Sequence, residues 1–258
     1  MKREIFISHL LPDEEIAELI RHYKVGVESI EFSISENLDH LDDCLASYEK
    51  RLCQMKCDNL ALHGPFLDLN PAAFDSMIQK TTMHRFEQCY EAARVLGAKK
   101  IIYHSCYNPT VYFLEGWAPR VVDFFERFLE NKSEDIEILM EYVMDPVPEP
   151  IAEIAEQISH PAFGLCLDVG HANCFSKISG EQWIDMLNSH IRHVHLHDNI
   201  GDRDSHLPLG KGTVPKEKLF AWLKSQTNVS CTIECNTQKD AMDSLTVLDQ
   251  YSIMSTLK

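Results

Sequence analysis

Short apolar runs alternate with amphipathic stretches along the whole chain. The runs 4-EIFIS-8, 26-GVESIEFS-33, 58-DNLALHG-64, 100-KIIYHS-105, 136-IEILMEY-142, 164-GLCLDVG-170, 193-HVHLHD-198 and 230-SCTIECN-236 are brief and rich in Ile, Val, Leu, Phe or Tyr. That composition and length predict strands. Between them the apolar positions recur at helical spacing. In 12-PDEEIAELIRHY-23, Pro12 and the acids beside it suit a first helical turn, and Ile16, Leu19 and Ile20 form one stripe. The segment 84-HRFEQCYEAARVLG-97 ends on Gly97, a natural C-cap. Further helices are predicted over 38–55, 119–131, 148–159, 181–190, 215–226 and from about 239 onward. Eight strands alternating with helices predict a (β/α)8 TIM barrel occupying residues 1–258 as a single domain. A doubly wound open sheet would need a glycine-rich phosphate loop after the first strand, and 8-SHLLPDEE-15 has none.

A barrel carries its chemistry at the carboxyl ends of its strands. Those ends hold His63, His104, Glu141, 168-DVGH-171, His195, 204-DSH-206 and Glu234. The stretch 193-HVHLHDNIGDRDSHLPLGKG-212 is the densest, with imidazoles and carboxylates both at a strand end and in the polar loop beyond it. Taken singly, a histidine is more often a hydrogen-bonded core or surface residue than a ligand, and an acid at a strand end can simply cap the next helix. Convergence changes the weighing. Six of the eight predicted strand ends carry such groups, and unpaired burial would cost several kcal/mol for each charge. Packing has no use for that arrangement; a bound divalent cation does.

Composition narrows the function. Hydrophobic and charged contents of 45% and 25% are those of an ordinary globular chain. A net charge of −16 repels polyanions, which argues against nucleic acid as a partner. No apolar run approaches the ~20 residues of a membrane span. The opening MKREIFISHLLPDEE lacks a signal peptide's apolar core, so a cytoplasmic protein is expected. Nine irregularly spaced cysteines read as reduced thiols.

The motifs 163-FGLCLDVGHANCF-175, 194-VHLHDN-199, 204-DSHLPLGKG-212 and 232-TIEC-235 resemble the xylose isomerase-like barrels. That superfamily includes sugar epimerases, inosose dehydratases and endonuclease IV, and the resemblance covers nearly the whole chain. For its isomerase and epimerase branch, the resemblance implies one divalent ion held by Glu141, Asp168, His195 and Glu234. For the endonuclease IV branch, it implies three zinc ions held by His63, His104, Glu141, Asp168, His171, His195, Asp204, His206 and Glu234. None of the nine is missing.

His197 follows His195 by the two-residue period, so it either joins the mouth or supports the ligands from behind. Gly210 and Gly212 ease the loop's return. The expected chemistry is that of a metal-dependent isomerase or epimerase of a sugar, sugar phosphate or related polyol. Glu141 and Glu234 would be its acid–base pair and a small carbohydrate its partner. A dehydratase of a cyclic polyol ketone uses the same proton abstraction, and an endonuclease IV-like phosphodiesterase acting on abasic DNA is the alternative from another class. A DNA enzyme needs basic, aromatic loops. Here 65-PFLDLNPAAFDS-76, 106-CYNPTVYFLEGW-117 and 142-YVMDPVPEP-150 are acidic or neutral. Phe66, Phe74, Tyr107, Tyr112, Phe113 and Trp117 are expected to include walls of a small cavity. His9, His197, Arg203 and Lys211 are further candidate substrate contacts, the last two competing with a solvated surface role. One to three ions are expected: zinc suits the imidazoles, while manganese, cobalt or magnesium suit a four-ligand site. A homo-oligomer stays open.

Overall fold

The computed structural model describes residues 3–254. Eight parallel strands close into a barrel in sequence order: β1 (Ile5–Ser8), β2 (Gly26–Ser29), β3 (Leu60–His63), β4 (Lys100–His104), β5 (Glu137–Glu141), β6 (Phe163–Asp168), β7 (Ile191–Leu196) and β8 (Ser230–Ile233). Pairing of β8 with β1 through Phe6↔Thr232 completes the ring. Helices cover the outside: α1 (Asp13–Tyr23), α2 (Ser35–Asp39), α3 (Leu41–Met55), α4 (Ser76–Leu96), α5 (Trp117–Leu129), α6 (Glu149–Gln157), α7 (Val169–Phe175), α8 (Gly180–Leu187), α9 (Lys216–Ser225) and α10 (Gln238–Gln250).

The strands are buried on both faces, as a closed parallel sheet requires. Phe6, Ala61, Ile102, Leu139 and Cys166 pack together inside the barrel, while the larger apolar core lies between strands and helices. There Phe86 stacks on Tyr103 and Tyr142 on Trp183, each pair with ring centroids 3.9 Å apart. No helix among the described residues is long and apolar enough to cross a membrane. All nine cysteines are free thiols.

The barrel agrees with the sequence expectation, and the differences lie at element ends. The second strand stops at Ser29, and its predicted continuation coils into a 3-10 turn over Glu31–Ser33. The helix predicted over 38–55 is two, broken at His40. The one expected from residue 84 begins at Ser76, where the Asp75 side chain accepts the Met77 N–H and caps it. A short helix, α7, follows Asp168 where the sixth strand was expected to continue to residue 170.

Candidate metal centre

Six strand ends, the short helix α7 and one loop bring the nine predicted ligand residues to one mouth. The β3, β4 and β5 ends juxtapose His63, His104 and Glu141, with His63 Nε2 3.1 Å from His104 Nε2. Glu141 Oε2 lies 3.7 and 3.5 Å from those two nitrogens. At the centre, His195 Nδ1 stands 3.3 Å from Glu141 Oε2, 3.7 Å from Asp168 Oδ2 and 3.5 Å from Glu234 Oε1. A third group joins Asp204 Oδ2 to His171 Nε2 at 3.4 Å and to His206 Nε2 at 3.0 Å. His171 Nδ1, 3.1 Å from Glu141 Oε1, links this group to the rest.

Local structure explains how a polar loop supplies Asp204 and His206. Asp198, just past β7, is buried and accepts hydrogen bonds from the backbone N–H groups of Asn199, Gly210 and Val214. Its backbone also pairs with Leu207 in both directions at 2.8 Å. These bonds fold residues 199–214 back over the barrel. His206 adopts φ 47°, left-handed backbone that costs a β-carbon residue about 1–3 kcal/mol unless its surroundings hold it. Asp168 does two jobs: its Oδ1 accepts the His171 N–H and caps α7, while Oδ2 faces the centre.

Burial and the facing charges set the protonation of this centre against each other. Glu141, Asp168 and His195 are 1% exposed or less. Burial works against ionising Glu141, Asp168 and Asp204, yet the surrounding imidazoles hold all three below the ordinary carboxylate range. Burial likewise opposes charge on His171 and His195, but the facing carboxylates outweigh it and raise both well above an ordinary imidazole. His206 is raised to about 9 by Asp204 and Glu234 against the same penalty. Burial wins at His104, lowered to about 3, and at Glu234, which is raised. Glu141 Oε2, His171 Nδ1, His195 Nδ1 and Asp204 Oδ1 are buried without a hydrogen-bond partner. Buried polar atoms are rarely left so.

The donor set fits a divalent cation. In a tetrahedral shell with bonds of roughly 2.0–2.2 Å, neighbouring donors stand roughly 3.3–3.6 Å apart. Two of the three contacts of His195 Nδ1, at 3.3 and 3.5 Å, fall at that spacing, and the third, at 3.7 Å, just beyond it. Glu141, Asp168, His195 and Glu234 can hold one ion. His63 and His104 with Glu141, and His171 and His206 with Asp204, can hold others.

Above the centre opens a cleft of about 390 Å³. Leu10, Ile30, Phe66, Val143, Met144 and Phe175 make its apolar walls, and no Lys or Arg among the described residues lines it. Phe66 stacks on His104 with ring centroids 4.3 Å apart. Of the other sequence candidates, only His197 touches the candidate ligands. His9 is turned away from the cleft, held by the Tyr48 hydroxyl at 2.8 Å and Asp13 at 3.1 Å. His197 is fully buried behind the candidate ligands, its Nε2 3.0 Å from Asp168 Oδ1 and its Nδ1 3.5 Å from Asp204 Oδ1, the supporting place expected for it as one of two. Tyr107 and Trp117 pack on each other behind the wall, the Tyr107 hydroxyl donating to the Tyr112 carbonyl. Arg203 and Lys211 are exposed and outside the cleft lining. Phe74 and Phe113, 77% and 87% exposed, sit on the outer surface.

Sequence reasoning missed Glu28, a buried acid on β2, and Asp198. The mid-strand position of Glu28 between Val27 and Ser29 was its only signal.

Comparison with known proteins identifies the chain's kin. The sequence profile of the family described as xylose isomerase-like TIM barrel matches residues 21–251. An uncharacterized protein of Methanocaldococcus jannaschii is 26% identical over 89% of this chain and 79% of its own length. A probable endonuclease 4 of Metamycoplasma arthritidis is 24% identical over 80% and 79%. Among solved structures, a D-tagatose 3-epimerase-like protein superposes with a TM-score of 0.75 at 22% identity, covering 97% of both chains.

Proposed function

Because the chain belongs to the xylose isomerase-like TIM barrel family, we propose that it is a divalent-metal-dependent isomerase or epimerase of a sugar, sugar phosphate or related polyol. One observation carries the reading. Glu141 and Glu234, from strands three apart round the barrel, flank His195 Nδ1 at 3.3 and 3.5 Å on the floor of a small apolar-walled cleft. An ion held by Glu141, Asp168, His195 and Glu234 would act as a Lewis acid on a substrate carbonyl and its neighbouring hydroxyl. The many imidazoles favour zinc.

The chain's own groups then divide the remaining work. Two carboxylates approaching from opposite sides can take a proton from one face of a planar intermediate and return it to the other, as epimerisation requires. Phe66, Phe175 and Met144 exclude water from the reacting carbon. A cleft of about 390 Å³ falls within the roughly 300–1,000 Å³ usual for small-molecule sites.

A phosphodiesterase reading is favoured by one specific feature, the complete nine-residue constellation shared with the endonuclease IV branch. The absence of Lys and Arg from the cleft lining, among the described residues, weighs against it, because a duplex must be gripped by its phosphates.

The deciding experiment incubates zinc-loaded protein in D2O with ketoses, ketose phosphates and cyclic polyol ketones, reading exchange at the carbon beside the carbonyl by NMR. Exchange that collapses in Glu234→Gln supports the proposal, and product analysis separates epimerase from dehydratase. No exchange with any of them, together with rapid incision of an abasic-site duplex at low enzyme, would overturn it.

A further inference from the structure

Beneath the cleft lies a carboxylate for which the catalytic reading has no use. Glu28 is fully buried inside the barrel. Its Oε1 is 3.1 Å from His195 Nε2, and its Oε2 receives the Thr232 hydroxyl and stands 3.3 Å from His193 Nε2. Its ion-pair partners among the described residues are imidazoles alone. A carboxylate in such a place costs several kcal/mol unless its environment requires it.

The hydrogen bonds around it run in one sense. The Ser230 hydroxyl lies 2.6 Å from His193 Nδ1, and His193 Nε2 lies 2.8 Å from Thr232 Oγ1. Each hydroxyl has one proton. If Thr232 donates to Glu28, it must accept from His193 Nε2–H, and His193 Nδ1 must then accept from Ser230. Glu28 closes the chain, its Oε2 accepting His195 Nε2–H at 3.3 Å. That leaves the His195 Nδ1 lone pair aimed at the centre, where Nδ1 is buried and has no hydrogen-bond partner. The opposite tautomer would set an imidazole lone pair against the carboxylate of Glu28.

We propose that Glu28 is the positioning residue of the central cation site, holding His195 in the orientation and tautomer that leave Nδ1 free to ligate. Thr232 and His193 hold Glu28 in turn. The inference rests on the metal-site reading above. It assigns a role to the second strand, which contributes no group to the rim. A carboxylate behind a ligating imidazole orients the ring and raises its basicity, and losing such a partner typically costs 10- to 100-fold in metal affinity.

The test compares wild type with Glu28→Gln, and with Thr232→Val should the first fail to fold. Zinc affinity is measured by chelator competition on folded protein, and the His195 tautomer by nitrogen-resolved NMR of the metal-free chain, at a pH high enough to leave the ring neutral because the facing carboxylates raise it. The expected results are a 10- to 100-fold weaker zinc equivalent in the variant and, in the wild type, an Nε2–H tautomer that the variant loses. A merely structural Glu28 would leave the tautomer unchanged. Wild-type affinity and an unaltered tautomer in a folded variant would overturn the proposal. Wild type that binds no zinc would overturn the metal-site reading, and this inference with it.

Discussion

The His197 imidazole occupies the space over Gly170 where any other residue would carry its β-carbon. A Cβ built on Gly170 falls within bonding range of the ring's Cε1. The contact lets His197 Nε2 reach Asp168, 3.0 Å from Oδ1 and 3.1 Å from Oδ2. The glycine of 168-DVGH-171 is thus a packing requirement of the candidate metal centre.

Gly170→Ala therefore drives the methyl into the ring and displaces it from Asp168. Forcing a methyl into a filled site costs about 1–3 kcal/mol, readable by urea denaturation. The double variant Gly170→Ala/His197→Ala removes the obstacle, so its loss should fall well short of the sum of the two single losses. Simple additivity would mean the two residues do not compete for that space.

Asp198→Ala is expected to release the loop carrying Asp204 and His206. The substitution strips three backbone N–H groups, of Asn199, Gly210 and Val214, of their shared acceptor. Each donor left buried costs about 1–3 kcal/mol; water reaching the freed loop lowers the total to on the order of 3 kcal/mol. Two readouts follow: faster limited proteolysis within 199–212, and loss of the zinc equivalent that depends on Asp204 and His206. Unchanged proteolysis would show that Asp198 does not hold the loop.

The barrel and its mouth were legible because both rest on short-range patterns. Apolar runs mark strands, and strand ends mark the rim, which was enough to gather all nine groups from His63 to Glu234. What stayed hidden depends on where the backbone bends. His197 supports Asp168 from behind, one of the two places the sequence left open to it, and only the fold chose between them. Trp117 and Tyr107 looked like cavity walls because aromatic character alone does not say which side of a loop faces the substrate; burial against each other decided it. Glu28 escaped notice for a different reason. Its strand contributes nothing to the rim, and an inward carboxylate below the mouth acquires meaning only once His195 is seen to touch it.

A pH prediction follows from Asp145. Its carboxylate is 2% exposed, accepts the Ser105 hydroxyl at 2.8 Å and the Val143 N–H at 3.1 Å, and leaves Oδ1 without a partner. Burial raises it from the ordinary 3.8 to about 6. A raised acid binds its proton more tightly folded than unfolded, so its contribution to stability is greatest below pH 4 and lost as pH climbs to about 6. A rise from 3.8 to about 6 corresponds to about 3 kcal/mol. Measured on metal-free proteins, the stability of Asp145→Asn relative to wild type should rise by about that amount between pH 4 and 6.5. A flat difference would show that burial does not govern this group.

The proposed metal, if bound at this mouth, stabilises the fold as well as serving the chemistry, so its removal should harm both. Glu141, Asp168, Asp204 and Glu234 crowd one mouth, and an ion bound only by the folded state stabilises it by mass action. At a thousand times its dissociation constant, a single ion contributes about 4 kcal/mol. For a chain of this size that equals about 8–16 °C in Tm. Chelation and dialysis should lower Tm by that much and readdition of zinc restore it, with elemental analysis giving the number of ions bound. Magnesium should restore less, since it prefers oxygen donors and the centre offers imidazoles on every side. Equal melting with and without chelator, and no metal retained, would leave these buried acids and imidazoles without the partner their geometry demands.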